Sequence, residues 1–279
     1  MLAQRIATAL VLVALLLLTL WASSPWPFVG LTLLLISAAA WEWARLNGLP
    51  SKLAMVCGLA LAAVGLALAL SARAATESSH MLWLLSAIAW LIGGAVVLRA
   101  GPQRWAQWPQ GVRVAIGGVL LVVAWWALAQ ARITGVNYLL SVLCIVWAAD
   151  IAAYFGGRAF GRNKLAPSIS PGKSWEGVVS GMLGVLVLAA FWLMLDARIA
   201  ADSASVFTLL KQRFGLVLMA LALLALTGMS VVGDLFESLI KRAVGAKDSS
   251  ALLPGHGGVL DRVDALLPVL PCALALTTW

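Results

Sequence analysis

Nine apolar stretches, near 6–22, 28–44, 53–71, 81–98, 114–131, 138–155, 175–195, 214–238 and 260–278, leave this chain few ways to fold. About 20 apolar residues suffice to cross a bilayer as a helix. In lipid the backbone must satisfy its own hydrogen bonds, and a helix does so within one segment. Charged residues make up only 11% of the chain, against about a quarter in soluble domains. The expected fold is therefore all-α: a polytopic transmembrane helical bundle of about nine spans. The run after MLAQR has no A-x-A cleavage site behind it, so it reads as a retained span rather than a signal peptide. Pro268 and Pro271 predict a kink in the last span.

Charge then orients the bundle. With the N-terminus in the cytoplasm, Arg5, Arg45, Lys52, Arg99, Arg104, Arg113, Arg158, Arg162, Lys164, Lys173, Lys241, Arg242, Lys247 and Arg262 fall inside. Arg73, Arg132, Arg198, Lys211 and Arg213 fall outside. The positive-inside rule favours this arrangement. It places loops 156–174 and 239–260 in the cytoplasm and Trp279 outside. The net charge of +8 reports topology and contact with anionic membrane lipid, not a nucleic-acid partner. Cys57, Cys144 and Cys272 lie singly in apolar runs, and His80 and His256 are the only histidines, so neither a disulfide framework nor a zinc or His-rich site is indicated. Tryptophans at 21, 26, 41, 43, 105 and 108 sit near span ends and read as interfacial and packing residues.

The chain divides functionally near residue 135. Residues 1–135 hold almost no polar groups within spans except Glu42, and read as a lipid-facing scaffold. Residues 136–279 read as the catalytic bundle. Seven of the eleven acids, Asp150, Glu176, Asp234, Glu237, Asp248, Asp261 and Asp264, fall in or beside its two cytoplasmic loops. The i, i+3 spacing of Asp234 with Glu237, and of Asp261 with Asp264, places each pair on one helix face. Charge near a bilayer is costly and usually marks function. Asp150 is expected about a turn and a half before the inner end of its span.

Two clusters carry chemistry. Loop 156–177 (GGRAFGRNKLAPSISPGKSWEG) holds Arg158, Arg162, Lys164 and Lys173 with hydroxyls at Ser168, Ser170 and Ser174. A Gly-Lys-Ser run at a helix start can cradle phosphate, although the P-loop spacing is absent. Segment 238–264 (SLIKRAVGAKDSSALLPGHGGVLDRVD) combines Lys241, Arg242, Lys247, His256 and Arg262 with Asp248, Asp261 and Asp264. Carboxylates suit a divalent metal and the cations suit phosphate. The turn at Gly255, Gly257 and Gly258 lets backbone N–H groups approach an anion. Together the clusters suit phosphoryl or nucleotidyl transfer, which depends on positioning and on charge neutralisation by metal.

At these residues the chain resembles the phosphatidate cytidylyltransferases, or CDP-diacylglycerol synthases. Every fixed position of the pattern S-x-[LIVMF]-K-R-x4-K-D-x-[GSA]-x2-[LIF]-[PG]-x-H-G-G-[LIVMF]-x-D-R-[LIVMFT]-D is met from Ser238 to Asp264. Asp150, Tyr154, Gly157-Arg158, Phe160-Gly161-Arg162 and the run from Ser170 to Gly177 resemble the family too. The resemblance implies conversion of CTP and phosphatidic acid to CDP-diacylglycerol and pyrophosphate. It also implies Mg²⁺ paired with K⁺, Asp234 and Asp261 as metal ligands, an all-helical fold with a polar funnel open to cytoplasm and lipid, a homodimer, and a bacterial inner-membrane location.

In that reading Asp234, Asp261, Lys241 and Arg262 are catalytic. Ser170, Lys173 and Ser174 hold the CTP triphosphate. Arg242, Lys247, His256, Asp264 and Arg158 complete the substrate contacts, with His256 a hydrogen-bond donor rather than a base. Two rival readings use the same charges: a transporter of an anionic or phosphorylated solute, and a related CTP-dependent lipid kinase. A transporter usually places such groups at the midplane between related repeats, and no repeat is visible here.

Overall fold

The computed structural model describes residues 2–71 and 79–278. Arg73 and Trp279, used in the orientation argument, lie outside the described residues, as does the side chain of Arg5. The helices are α1 (Leu2–Leu20), α2 (Trp26–Leu46), α3 (Ser51–Ser71), α4 (Ser79–Gln107), α5 (Gln110–Thr134), α6 (Val136–Phe160), α7 (Trp175–Asp196), α8 (Val206–Ala243), α9 (Leu260–Val263) and α10 (Leu266–Thr277). Among the described residues seven helices, α2 to α8, are long and apolar enough to cross a membrane. This is a multi-pass membrane protein.

The expected ninth span takes a different form. It is broken into α9, only four residues long, and α10, of 12 residues. At 1.5 Å per residue α10 is about 18 Å long, well short of the hydrocarbon thickness of about 30 Å. Its residues from Leu267 to Ala275 are all buried, and it packs against α4, α5, α6 and α8. It is the central strut of the bundle.

The outer helices show lipid-type packing. On α7, Gly177, Gly181, Val185 and Ala189 recur every four residues and are buried. Val179, Leu183, Val187, Phe191 and Met194 are exposed. A Cβ added at Gly181 would lie 2.9 Å from the Ala149 carbonyl on α6. Small residues let two backbones approach where lipid supplies no hydrophobic drive between helices.

Polar contacts collect at the two ends of the bundle. At one end Arg132 donates to the Leu20 and Ala22 carbonyls, both at 2.9 Å. There Asp202 accepts from the Val136 and Asn137 N–H groups at 2.6 and 3.0 Å, satisfying the free donors that open α6. Tyr138 and Thr277 hydroxyls meet at 2.7 Å, so α10 finishes at this end. At the other end Asn47 bonds Trp105 Nε1 at 3.2 Å, and the 156–174 and 239–260 loops gather.

The all-helical expectation has one exception. β1 (Lys164–Ala166) and β2 (Ser170–Ser174) form an antiparallel hairpin pairing Lys164 with Ser174 and Ala166 with Ser170. Pro167 and Pro171 disfavour helix here. Helix resumes as expected at Ser174, the N-cap of α7, whose oxygen accepts from Gly177 N–H at 3.2 Å.

Two of the tryptophans expected at the interface serve the core instead. Trp43 and Trp105 are 2% exposed. With Trp90 they surround Phe236 of α8 at ring-centroid distances of 5.3 to 5.9 Å. Trp21 is 76% exposed. This aromatic cluster fixes α8 against α2 and α4 beside the acids that follow.

Candidate active site

A cavity of about 410 Å³ opens where α6, β2, α7 and α8 meet. From α6 come Asp150, Ala153, Tyr154, Gly157 and Arg158, one face of the helix. From β2 come Gly172, Lys173 and Ser174, and from α8 Thr227, Val231 and Asp234. The volume suits a small-molecule site. Its walls are apolar at Ala149, Val178 and Val231, with cations and carboxylates at Arg158, Lys173, Asp150 and Asp234. Asp150 lies ten residues before the end of α6, deeper than the turn and a half expected, because the helix runs on to Phe160.

Lys173 and Asp234 form an ion pair within this cavity, joining the hairpin to α8 one turn before the 238–264 segment begins. Gly233 makes the neighbouring contact. A Cβ there would lie 2.4 Å from the Asp264 carbonyl and 2.9 Å from Pro268. The bare backbone lets the segment before α10 settle on α8 beside Asp234. Burial and the nearby Asp234 carboxylate push Asp264 up to about 7. Its Oδ1 accepts from Ala265 N–H at 2.8 Å.

A second cluster lies around Asp261. Lys241 Nζ donates to Asp261 Oδ1 at 2.6 Å and pairs with Glu237. Asp261 Oδ2 accepts from Ser249 N–H at 2.9 Å, Ser249 Oγ at 2.8 Å and Gly258 N–H at 2.8 Å. Burial alone would raise the Asp261 carboxyl. Hydrogen bonds from Lys241, Gly258 and Ser249 outweigh it and hold the group below its ordinary range.

The glycine turn does approach anions, but they are the protein's own. Gly257 sits at φ 82°, and a Cβ there would be 2.7 Å from Asp261 Oδ2. A Cβ at Gly258 would be 2.0 Å from Ser249 Oγ and 2.5 Å from Glu42 Oε1. Two carboxylates thus grip this turn, and side chains would push them off.

The remaining expected residues divide by what they touch. Ser174 is buried and committed to capping α7. Ser170 is half-buried at the start of β2. Arg242 donates to the Ile169 carbonyl at 3.3 Å and the Ala246 carbonyl at 3.1 Å, tying the hairpin to the end of α8. Arg262 folds back on the His256 carbonyl at 3.2 and 2.5 Å. His256 Nδ1 is buried without a hydrogen-bond partner. Lys247 and Asp248 are exposed. Asp234 and Asp261 engage different lysines. Among the described residues no group of three or more His, Cys, Asp or Glu is arranged to hold a metal.

Sequence reasoning passed over one site residue. Glu42 of α2 is completely buried and accepts four hydrogen bonds from 249–260. A lone acid in an apolar span is itself a signal; what it lacked was a visible partner.

The chain matches the family model described as "Cytidylyltransferase family" over residues 3–279. It is 37% identical over 285 residues to a phosphatidate cytidylyltransferase of Pseudomonas aeruginosa, covering 99% of this chain and 97% of that protein. It is 33% identical over 290 residues to one of Haemophilus influenzae, covering 97% and 96%. With one of Thermotoga maritima it shares 44% identity over 132 residues, 47% of this chain and 46% of that protein. A match along nearly the whole chain, together with a site joining hairpin cations to helix carboxylates, places this protein in the cytidylyltransferase family.

Proposed function

We propose that this chain transfers the cytidylyl group of CTP to phosphatidic acid, giving CDP-diacylglycerol and pyrophosphate for phospholipid synthesis. The loop end of the bundle faces the cytoplasm and the protein resides in a bacterial inner membrane. The cavity carries this reading. A substrate that is half phosphate and half hydrocarbon needs cations on an apolar wall, and Arg158 and Lys173 stand beside Val178 and Val231. The lipid phosphate is itself the nucleophile. Its oxygen bonds to the α-phosphorus of CTP as the bond to pyrophosphate breaks, so no protein nucleophile is needed. Lys173 and Arg158 offset charge on the phosphates, and Lys241 keeps Asp261 in place.

In this reading the cofactor is Mg²⁺ with K⁺, and Asp234 and Asp261 are the residues that would hold the metal. The donor type fits, since both are carboxylates, but each now carries an ammonium, Lys173 on one and Lys241 on the other, that the ion would displace. Asp150 lines the same cavity as Asp234, and Asp264 stands near enough to Asp234 to feel its repulsion, an excess of negative charge that a divalent ion would relieve. When bound, such an ion neutralises charge on phosphoryl oxygens.

The test is label transfer in mixed micelles containing phosphatidic acid and Mg²⁺. Label in the cytidine of CTP is expected to enter the lipid phase. Entry of γ-phosphate label instead would make the protein a lipid kinase. Entry of neither would favour a transporter.

A further inference from the structure

Glu42 enters the site from the half of the chain that otherwise serves as scaffold. It is 0% exposed, and all its partners are neutral donors. They are Ser250 Oγ at 2.6 Å, Leu260 N–H at 2.7 Å, Val259 N–H at 3.0 Å and Ser249 Oγ at 3.1 Å. The first N–H groups of a helix have no partner within it. At the start of α9 they are divided between two carboxylates: Gly258 N–H goes to Asp261, and those of Val259 and Leu260 go to Glu42. Ser249 Oγ lies within reach of both acids, at 2.8 and 3.1 Å. Its one proton can serve only one of them at a time.

We propose that Glu42 is a positioning residue for cytidylyl transfer, anchoring the His256–Gly257–Gly258 turn so that Asp261 and its partner Lys241 are held in place. The inference rests on the functional reading above. Glu42 does not line the 410 Å³ cavity and acts through the turn. The geometry is a clamp: α2 holds the turn through Glu42, α9 holds it through Asp261, and the two glycines have no side chains because Glu42 and Ser249 close on Gly258 while Asp261 closes on Gly257.

The experiment compares wild type with Glu42→Gln, which keeps the shape but sets an NH₂ donor against four donors. Hydrogen exchange reads the turn directly. Faster exchange of the Val259 and Leu260 amides is expected, with α4 and α5 unchanged. In steady-state kinetics kcat per folded molecule is expected to fall about 10–100-fold, the usual cost of losing a group that orients a site ligand. KM for CTP is expected to stay within about threefold, because bound substrate contacts remain. Glu42→Asp, which restores the charge on a shorter arm, is expected to recover part of kcat. Wild-type kcat per folded molecule in Glu42→Gln, or unchanged exchange at 259–260, would overturn the proposal. If Glu42→Gln does not fold, Ser250→Ala decides: removing one donor is expected to lower kcat several-fold, and an unchanged kcat would overturn it. Exchange is measured without substrate, so an enzyme that moved no cytidine label would fail the functional reading separately.

Discussion

Lys241 Nζ donates to Asp261 Oδ1 at 2.6 Å while also pairing with Glu237, four residues back on the same helix. One ammonium therefore ties the last turns of α8 to the start of α9. Glu237 is only 1% exposed and Lys241 12%. Removing the cation alone would leave a buried carboxylate without its counter-charge. Lys241→Met is expected to destabilise the protein by about 3–5 kcal/mol, read as a lowered thermal midpoint in detergent. Adding Glu237→Gln should recover most of that stability without restoring activity. A single variant as stable as wild type would show that the pair carries no structural weight.

The metal assignment makes a separate demand. Asp234→Asn and Asp261→Asn should each remove cytidylyl transfer while leaving a monodisperse protein in detergent. Quenching by Mn²⁺ of tryptophan or introduced-probe fluorescence should weaken in both variants, which reports binding without turnover. Near-normal activity of either variant at limiting Mg²⁺ would sink the assignment.

Lys173 and Arg242 should separate in kinetics. Lys173 lines the cavity and is paired only with Asp234 among the contacts above. Lys173→Ala should raise the apparent KM for CTP and lower kcat. Arg242 bonds two loop carbonyls, at Ile169 and Ala246. Arg242→Ala should therefore loosen the hairpin, and its kinetic bias should fall toward phosphatidic acid if the lipid phosphate reaches that guanidinium. Varying each substrate at saturation of the other decides. A loss confined to CTP in both variants would make the two clusters one nucleotide site.

Gly233→Ala tests the close approach beside Asp234. The new Cβ would stand 2.4 Å from the Asp264 carbonyl, too near for either backbone to stay put. Overpacking of this kind typically costs about 1–3 kcal/mol. Turnover should fall by at least about tenfold as Asp264 moves off α8. Full activity would mean that the 264–268 segment is free to shift without affecting the site.

Topology can be read with impermeant thiol reagents. Ala251 is exposed in the loop after α8, whereas Ser249 is buried against Glu42 and Asp261, so the probe belongs at 251. In a protein cleared of native cysteines, Ala251→Cys should react only after the membrane is opened. A cysteine at exposed Ala200, between α7 and α8, should react in intact spheroplasts. The reverse pattern would invert the bundle.

Much of this was legible without coordinates, and for local reasons. Helix positions followed from apolar run length, and the Ser174 cap followed from a single residue; the start of α8 at Val206, ahead of the apolar run from 214, did not. Gly215, at φ 74°, divides α8 where the apolar run begins. The chemistry of 238–264 was visible because its charged residues are contiguous and costly beside lipid. What the chain alone did not reveal depends on partners far apart in sequence. Glu42 meets its loop across 207 to 218 positions, and nothing periodic links a lone acid on α2 to a glycine turn that distant. The same holds for Trp43 and Trp105, which look interfacial by position yet close around Phe236. It holds for α10, whose composition suits a lipid-crossing span but whose 12 residues are enclosed by four other helices. Hydropathy reports the cost of leaving water and does not distinguish lipid from protein as the destination. Which lysine each carboxylate pairs with, and which acids grip the turn, were settled only when the helices packed and brought those charges within a few ångströms.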